Sequence, residues 1–521
     1  MLSKRASFDK ETFKKNIKFI SLAIPILFAL VTIQSTFNMY MNAKEFTTLP
    51  KNIREEHITS LFFRADVWNF PLSIINSFES RIPLSLTDNI PFMAMLYKVF
   101  NIQTDQYFGL WILISFFLYT FFAYRICKNI FVENFIIRCF GTLLFLMLPF
   151  TWYHSIYIPW FAGQWLVLWA YSIYFKKKPC ISNEWFGLLI FSSFVHPFFA
   201  FTTFLIMISD MIHLYIYNYS ISSYKVASSF SYMFTAMFIT MSILGIFYLP
   251  ILQNDAIVIP PLSFFNNTHN NDIYNISYFQ LGKGVFIGFI LSLILAFYHA
   301  KKLKKYFYYY RALLSTVLIL LFCASLGGIQ ITKSLFVNIP LNSWGKEYLY
   351  PFFTSGPKFF IPILYLLPIF ILAIVYRIEK RKKYAGSFFL TMICIIQIMD
   401  NSYFTSLKYK NFEPLDSTTT QFIENTTVFE WVFLTEIPFR PDLYEQLAYY
   451  AFNNNISINA FPLIRFPTKY QENLIKTKQH FLIKDFHKNT IYIIKETEFP
   501  KEYLTLGKTI QIENNILFKP Y

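Results

Sequence analysis

The chain has 521 residues, of which 55% are hydrophobic and only 15% are charged. Soluble globular domains carry about 25% charged residues, so this composition excludes an ordinary soluble protein and favours an integral membrane protein. The formal net charge of +16 is spread over short basic clusters between apolar runs. That distribution is typical of loops that orient membrane helices, and it argues against a nucleic-acid partner.

Apolar runs of about 20 residues recur up to residue 400, and each is long enough to cross a bilayer as a helix. No small-residue cleavage site follows the first run, so we interpret it as a retained anchor and not as a signal peptide. We predict an all-α polytopic bundle of about eleven spans, near residues 17–41, 106–126, 131–150, 158–175, 184–197, 198–217, 228–250, 283–300, 312–332, 359–376 and 384–400.

The fifth and sixth predicted spans form one continuous apolar stretch that contains His196 and Pro197. Proline disfavours helical backbone in the residue before it and lacks an N–H donor. A tight turn at this position therefore predicts two spans instead of one. This choice reverses the predicted orientation of every later span.

The basic residues support two spans. With a cytoplasmic N-terminus, the short inner segments hold 23 of the 46 Lys and Arg residues, while the much longer outer loops hold 10. This asymmetry follows the positive-inside rule. We predict a membrane domain at 1–400, with a large outer loop at 42–105, and a soluble extracytoplasmic domain at 401–521.

The first outer loop contains the densest polar signal, which includes Arg64, Asp66, Trp68 and Asp88. Carboxylates near apolar aromatic residues can serve as general bases, and they can also hold a divalent metal bound to phosphate oxygens. Asp66 and Asp88 are therefore the candidate catalytic residues, and Trp68 can stack on a sugar ring. In the alternative interpretation, Asp66 pairs with Arg64 and Asp88 caps a short helix.

Three further polar residues are predicted near the outer ends of the helices. They are His154, Gln164 and His196. Polar groups in a membrane tend to be functional, so we predict that these residues bind substrate. The alternative is that the histidines only cap helices or lie at the interface.

Lys358 follows a Gly-Pro turn at the predicted start of the tenth span. A cation and free backbone N–H groups at a helix start can bind a phosphate. The alternative is a plain loop in which Lys358 extends to the membrane interface.

The tail alternates between strand and helix signals and predicts an α/β domain. We expect strands or extended segments at 431–437, 456–466 and 489–495, a helix at 444–452, and a hairpin at 509–521 that turns at Asn514 and Asn515. The tail has no Gly-rich phosphate loop and no nucleophile elbow, so we interpret it as an accessory or acceptor-binding module.

The chain resembles a family of uncharacterised bacterial membrane proteins, and its architecture resembles the GT-C class of membrane glycosyltransferases. The resembling stretches cover most of the chain: FFRADVW at 62–68 with 71–72, then 87–91, 107–111, His154 with 164–165, 196–197, 355–356, Gln397 with Asp400, 458–459 with Arg465, and 491–493. The family has a basic residue directly after Gly356, whereas Pro357 stands there in this chain.

The GT-C resemblance implies a donor sugar carried on a polyprenyl phosphate or pyrophosphate. It also implies an acidic residue in the first outer loop, which is a base or a ligand of a divalent ion such as Mg²⁺ or Mn²⁺. By resemblance these roles fall to Asp66 and Asp88, and Lys358 or Arg64 would offset the charge of the leaving phosphate.

We therefore expect a glycosyltransferase of the bacterial inner membrane, with membrane lipid, a polyprenyl-linked sugar and a glycan acceptor as its partners. The rival is a non-enzymatic protein that exports or docks envelope polysaccharide. A transporter is expected to show paired halves and helices broken at the bilayer midplane. The sequence shows no convincing half-repeat, which favours the enzyme.

Overall fold

A computed structural model of the chain describes residues 51–77, 80–84, 87, 89–102, 106–130, 134–148, 151, 158–176, 183–217, 222–246, 251–252, 282–298, 313–321, 329–330, 336–337, 359–401, 414–434, 443–461, 466–487 and 489–521, together with positions 23, 25 and 27. These residues are mostly helical, with 15 helices and a small sheet region near the C-terminus.

The segment predicted as the first outer loop folds into a compact unit, which we call the loop unit. It consists of helix α1 (Lys51–Ala65), a hairpin of β1 (Ile74–Ser77) and β2 (Ser80–Pro83), and helix α2 (Pro91–Val99). The side chains of α1 are buried from residue 53 to residue 61. Because α1 is enclosed on all sides, its polar residues must find partners inside the protein.

The membrane part contains ten helices among the described residues, and a 3₁₀ turn at Pro159–Gln164 precedes the third of them. They are α3 (Phe108–Ile130), α4 (Phe135–Leu146), α5 (Trp165–Tyr174), α6 (Glu184–Val195), α7 (Pro197–Tyr217), α8 (Ser223–Ile243), α9 (Lys283–Tyr298), α10 (Phe360–Leu364), α11 (Leu366–Arg381) and α12 (Ala385–Asn401). Short strands lie at β3 (Ile251–Leu252), β4 (Ile329–Gln330) and β5 (Phe336–Val337), and residues 313–321 are helical.

Four helical stretches are long and apolar enough to cross a membrane. They are Phe108–Ile130, Pro197–Ile216, Ser223–Ile243 and Phe360–Arg381, and four shorter helices are apolar as well. The membrane character predicted from the sequence is confirmed. The count of eleven spans stays a prediction, because the span at 17–41 lies outside the described residues except for positions 23, 25 and 27.

The break predicted between the fifth and sixth spans is confirmed. Helix α6 ends at Val195, His196 is extended at φ −167° and ψ 141°, and α7 begins at Pro197. Proline at the first position of a helix loses no intrahelical bond there, which explains the restart. Helices α6 and α7 then pack against each other as an antiparallel pair.

The helix ends form two groups on opposite sides of the bundle. On one side, the indole of Trp111 donates to the carbonyl of Pro159 at 2.9 Å, and the Gln397 amide donates to the carbonyl of Met147 at 3.0 Å. The loop unit contacts this side through the Ser73–Leu244 and Asn89–Tyr107 hydrogen bonds, and the tail pairs with β3, which follows α8. We call this side the domain face. Helix ends that the sequence placed outside the membrane thus lie together.

The opposite side carries basic residues, and we call it the basic face. Arg125 bonds to Glu184 at 2.6 Å, and Lys176 bonds to the same carboxylate at 2.7 Å. Glu379 accepts a hydrogen bond from the Asn134 amide at 3.1 Å, which joins α4 to α11. These contacts lie among the segments that the sequence assigned to the cytoplasm.

The tail contains a mixed five-stranded sheet with helices. Its elements are α13 (Ser417–Ile423), β6 (Val428–Trp431), α14 (Tyr444–Asn453), β7 (Ser457–Ile458), β8 (Phe466–Pro467), α15 (Thr468–Leu482), β9 (Thr490–Lys495), β10 (Gly507–Ile512) and β11 (Asn515–Pro520). The strand order is β10-β11-β9-β6-β7, with β6 parallel to both β7 and β9. Strand β8 instead pairs with β3, which follows α8 in the chain.

Most of the elements predicted in the tail are confirmed. They include the helix at 444–452, the strand at 489–495 and the C-terminal hairpin, whose turn lies at Glu513 and Asn514 and not at Asn514 and Asn515 as predicted. The strand predicted at 431–437 is misplaced, because β6 runs over Val428–Trp431 and residues 432–434 are not in a strand. Parallel pairing with β9 decides this position, since Val428 lies opposite Thr490 and Trp431 opposite Ile493.

Candidate functional site

Asp66 lies just beyond the end of α1 and is half-buried. One carboxylate oxygen accepts the backbone N–H of Val67 at 2.7 Å. The other accepts the backbone N–H and the side-chain amide of Asn76 at 2.8 and 2.9 Å. These bonds connect the end of α1 to strand β1, so the carboxylate is held in a fixed orientation.

Arg64 does not pair with Asp66, which contradicts the alternative considered from the sequence. Its side chain is buried, and its guanidinium donates to the carbonyls of Ser60 at 3.3 Å and Ile102 at 2.8 Å. It also lies over the ring of Tyr97, at 5.7 Å from the centroid. Arg64 therefore connects α1 to the end of α2.

Trp68 stands beside a second cation, Lys98. The Lys98 ammonium lies 4.7 Å from the Trp68 ring and 4.2 Å from the Phe63 ring, and it donates to the carbonyl of Phe63 at 2.8 Å. Burial lowers the pKa of Lys98, and the negative charge of Asp66 opposes that shift. Asp66, Trp68 and Lys98 thus form one cluster at the edge of the loop unit.

A buried polar group lies next to Asp88, which is itself outside the described residues. The Asn89 amide donates to the Glu56 carboxylate at 2.7 Å and accepts the hydroxyl of Tyr107 at 2.6 Å. Helix α2 begins at Pro91 with Ile90 in the capping position, and the capping role considered for Asp88 lies outside the described residues. Glu56 is not among the residues predicted for the site, although it belongs to the unusual run REEH at 54–57.

The C-terminal domain packs directly on α1. Arg54 bonds to Glu445 of α14 at 2.6 Å, and the hydroxyls of Thr59 and Tyr444 lie 3.2 Å apart. The Phe62 ring makes edge contacts with Phe452 and Phe461. The domain thereby supports the helix that carries Arg64 and leads into Asp66.

Gln164 lies inside the bundle at the end of a chain of buried hydroxyl groups. Its side-chain oxygen accepts the hydroxyl of Tyr365, and the Thr151 hydroxyl lies 3.4 Å from that hydroxyl and 3.2 Å from that of Tyr119. Gln164 is fully buried, yet its amide nitrogen has no hydrogen-bond partner within the described part of the chain. A buried donor without a partner is costly.

His196 stacks on Trp160, which belongs to the same 3₁₀ turn as Gln164. Their ring centroids are 3.8 Å apart and the planes are 7° from parallel. The His196 Nδ1 accepts the backbone N–H of Phe198 at 3.1 Å. The His196 turn is therefore packed against Pro159–Gln164 at the domain face.

His154 and Lys358 lie outside the described residues, but their described neighbours occur in this region. Thr151 precedes His154 and belongs to the hydroxyl chain. Phe359 follows Lys358, and its ring lies 5.2 Å from that of Phe198. Segments from three separate loops thus end beside Gln164 and His196.

Residues 22–402 match the family model described as a domain of unknown function, DUF6311. The chain belongs to this family. No curated protein matches the chain. The DUF6311 match contains every candidate residue and ends where α12 ends. The sheet-containing tail lies beyond it.

Within the DUF6311 region, the candidate residues fall into two groups. Arg64, Asp66 and Trp68 belong to the loop unit, while Gln164 and His196 belong to the bundle. Asp66 and Gln164 are not bonded to each other in the described structure. In the described residues, no group of three or more His, Cys, Asp or Glu side chains could hold a metal ion. A metal site that includes Asp88 stays a prediction.

Proposed function

We propose that this DUF6311 protein is a GT-C-type glycosyltransferase of the bacterial inner membrane. It has about eleven spans, a cytoplasmic basic face and an extracytoplasmic domain face. It transfers a sugar from a polyprenyl-phosphate-linked donor to an envelope glycan or another acceptor. The substrate side is the domain face, where the loop unit, the tail and the described candidate residues lie.

Charge supports this orientation. The basic face carries Arg125, Lys128 and Lys176 and the cluster from Arg377 to Lys383. Cytoplasmic loops are enriched in Lys and Arg. With the basic face in the cytoplasm, lipid-linked donor would enter from the outer leaflet.

The unpartnered amide of Gln164 is the observation that carries the proposal. The hydroxyl of Tyr365 occupies its oxygen, so the nitrogen remains as a donor for a ligand. Buried polar groups at membrane depth are costly, and those that are retained there tend to be functional. A phosphate or sugar oxygen of a lipid-linked donor is an acceptor of the required kind. His196 and Trp160 add an aromatic surface beside it.

In the proposed reaction, an acceptor hydroxyl attacks the anomeric carbon of the donor sugar. The bond between that carbon and the phosphate oxygen breaks, and the lipid phosphate leaves. Asp66 or Asp88 takes the proton of the attacking hydroxyl or holds a divalent ion such as Mg²⁺ or Mn²⁺. Lys358 or Arg64 offsets the charge of the leaving phosphate, and Trp68 stacks on a sugar ring.

The test is sugar transfer by purified protein in lipid vesicles, supplied with a panel of radiolabelled polyprenyl-phosphate sugars. Gln164→Leu removes the free donor, and loss of a hydrogen bond to a charged group costs about 1.5–3 kcal/mol. We therefore expect transfer to fall by about 10–100-fold. Asn129→Leu is the control, because this amide bonds to the Ser172 carbonyl near the basic face.

No transfer or donor cleavage by the wild-type protein with any member of the panel would count against the enzyme. Saturable binding of a lipid-linked sugar without turnover would instead favour the docking or export protein. Equal loss in Gln164→Leu and Asn129→Leu would show that Gln164 has no special role.

A further inference from the structure

The loop unit exposes an apolar surface that no part of the described protein covers. It consists of Val67, Trp68, Phe70, Val99 and Phe100, which are between 47% and 69% exposed. We call these five residues the apolar rim. Scattered exposed side chains are ordinary on protein surfaces, but a connected patch of large ones marks an interaction site.

The two halves of the apolar rim are joined through Lys98. Its ammonium lies over the Trp68 ring at 4.7 Å and within 3.4 Å of the carbonyl of Val67. Val99 and Phe100 follow Lys98 in the chain, at the end of α2. Lys98 thus contacts the first half of the rim through space and adjoins the second half along the chain.

Two contacts fix the level of the rim relative to the membrane helices. After Phe70, the backbone N–H of Leu72 donates to the carbonyl of Ile243, and the Ser73 hydroxyl donates to that of Leu244, at 2.9 and 2.5 Å. Ile243 is the last residue of α8, one of the helices long enough to span the membrane. The first half of the rim therefore lies at the end of a spanning helix.

The second contact comes from α2. The ring of Phe92 lies 4.9 Å from that of Phe191, which is about one turn before the end of α6 at Val195. Because α2 has only nine residues, Val99 lies within about 14 Å of this contact along the helix. The second half of the rim is therefore at most about one length of α2 away from the end of a bundle helix.

The surface of α8 connects the rim to lipid. Phe234, Phe238 and Ile239 of this helix are between 40% and 51% exposed, as expected of side chains that face acyl chains. Trp and Lys beside such a surface are typical of the membrane–water interface, where an aromatic ring and a long cationic side chain each have an apolar and a wet end.

We propose that the apolar rim inserts into the headgroup region of the membrane leaflet at the domain face. Its occupant is membrane lipid, and Lys98 lies among the headgroups. The loop unit is then attached to the bilayer as well as to the helices. This inference depends on the position of the rim. It places Trp68 among the headgroups, at the level where the proposed function brings the sugar of a lipid-linked donor to this ring.

The test uses a fluorescent label on Phe70→Cys, in a background whose five native cysteines are replaced by alanine. The protein is placed in phosphatidylcholine nanodiscs that carry a nitroxide near the headgroup end of the acyl chain. The matched control is Ile483→Cys, since Ile483 is 71% exposed and Phe70 69%. Ile483 adjoins Phe481, whose apolar cluster contains only tail residues.

We expect nitroxide lipid to quench the Phe70 label several-fold more strongly than the Ile483 label, and aqueous iodide to show the reverse order. Iodide quenching of the Phe70 label equal to that of the control, without lipid quenching, would overturn the proposal. Shielding from both quenchers would also overturn it, because a second copy or another protein would then cover the rim.

A second measurement leaves the native cysteines in place. The fluorescence of Trp68 is obtained as the difference between the wild-type protein and the Trp68→Phe variant. Brominated lipid should quench this difference. If brominated lipid leaves that difference unchanged, Trp68 does not contact lipid. Elution from a sizing column checks that the Phe70→Cys, Ile483→Cys and Trp68→Phe variants are folded.

Discussion

Arg54 and Glu445 lie 391 positions apart in the sequence, and their side chains meet at 2.6 Å. Arg54 belongs to the first outer loop and Glu445 to the tail, so this ion pair connects the beginning of the described chain to its last domain. The side chains are only 2% and 13% exposed. In such a pair, removal of one partner leaves the other charge buried.

Glu445→Ala should therefore destabilise the protein by about 3–5 kcal/mol, because the buried Arg54 loses its 2.6 Å bond to this carboxylate. The measurement is the unfolding midpoint of the detergent-solubilised protein. The control is Glu502→Ala, whose 3.4 Å pair with Lys484 is exposed and should contribute less than about 1 kcal/mol. Similar small effects of both variants would show that the tail does not depend on this pair.

Gly284→Ala should separate α9 from α12. An added Cβ would lie 2.5 Å from the carbonyl oxygen of Ile393, and backbone atoms cannot move aside as a flexible side chain can. Overpacking typically costs about 1–3 kcal/mol. The same substitution at Gly187 meets nothing within 4 Å and should be neutral or stabilise α6 by up to about 1 kcal/mol. Thermal unfolding of the two variants in one detergent would test the difference, and equal midpoints would contradict it.

The variants Asp66→Asn and Asn76→Ala distinguish a catalytic role of Asp66 from a role in connecting the end of α1 to β1. Asn76→Ala removes the side-chain donor at 2.9 Å but leaves the carboxylate in place. If Asp66 is the general base, Asp66→Asn should lower glycan formation by about 10²–10⁴-fold. Asn76→Ala should retain most of the product. Protein abundance and envelope glycan are measured together, and parallel losses of both in the two variants would indicate a structural role only.

Tyr365→Phe should weaken the function of Gln164 by releasing its amide. The variant leaves the Gln164 oxygen buried without its donor, which costs about 1–3 kcal/mol of stability. Tyr171→Phe is the matched control, since its hydroxyl donates to the carbonyl of Pro362 at 2.8 Å. Both variants should lose stability, but only Tyr365→Phe should also weaken binding of lipid phosphate to the folded protein. Equal binding by the two variants would argue against a positioning role for Tyr365.

Local features of the fold could be predicted from the sequence. The interruption at His196 and Pro197, the helix at 444–452 and the C-terminal hairpin each depend on residues close together in the chain. The start of β6 could not be predicted, because pairing with β9, about 60 residues later, decides it. Helix α15 was not anticipated, and its N-terminus adjoins the β8 pairing with Ile251 and Leu252 of a distant loop.

For the candidate site, the sequence indicated which residue types lie at the domain face but not what they contact. Arg64 and Asp66 are two positions apart, and proximity favoured an ion pair between them. In the structure, Arg64 instead donates to the Ile102 carbonyl. The Asp66 carboxylate accepts hydrogen bonds from the backbone and side-chain amides of Asn76. Backbone carbonyls and amides can satisfy a charged group, and a residue list does not show where they lie.

The sequence by itself determined that this is a membrane protein with a sheet-containing tail, because apolar run length, loop charge and strand periodicity are local quantities. Only the tertiary structure decided which polar groups meet. Examples are Arg54 with Glu445, Asn89 with Glu56, and Tyr365 with Gln164, which lie 391, 33 and 201 positions apart. Such partners are chosen by the packing of whole helices, because a buried polar group must bond to whatever that packing brings within reach.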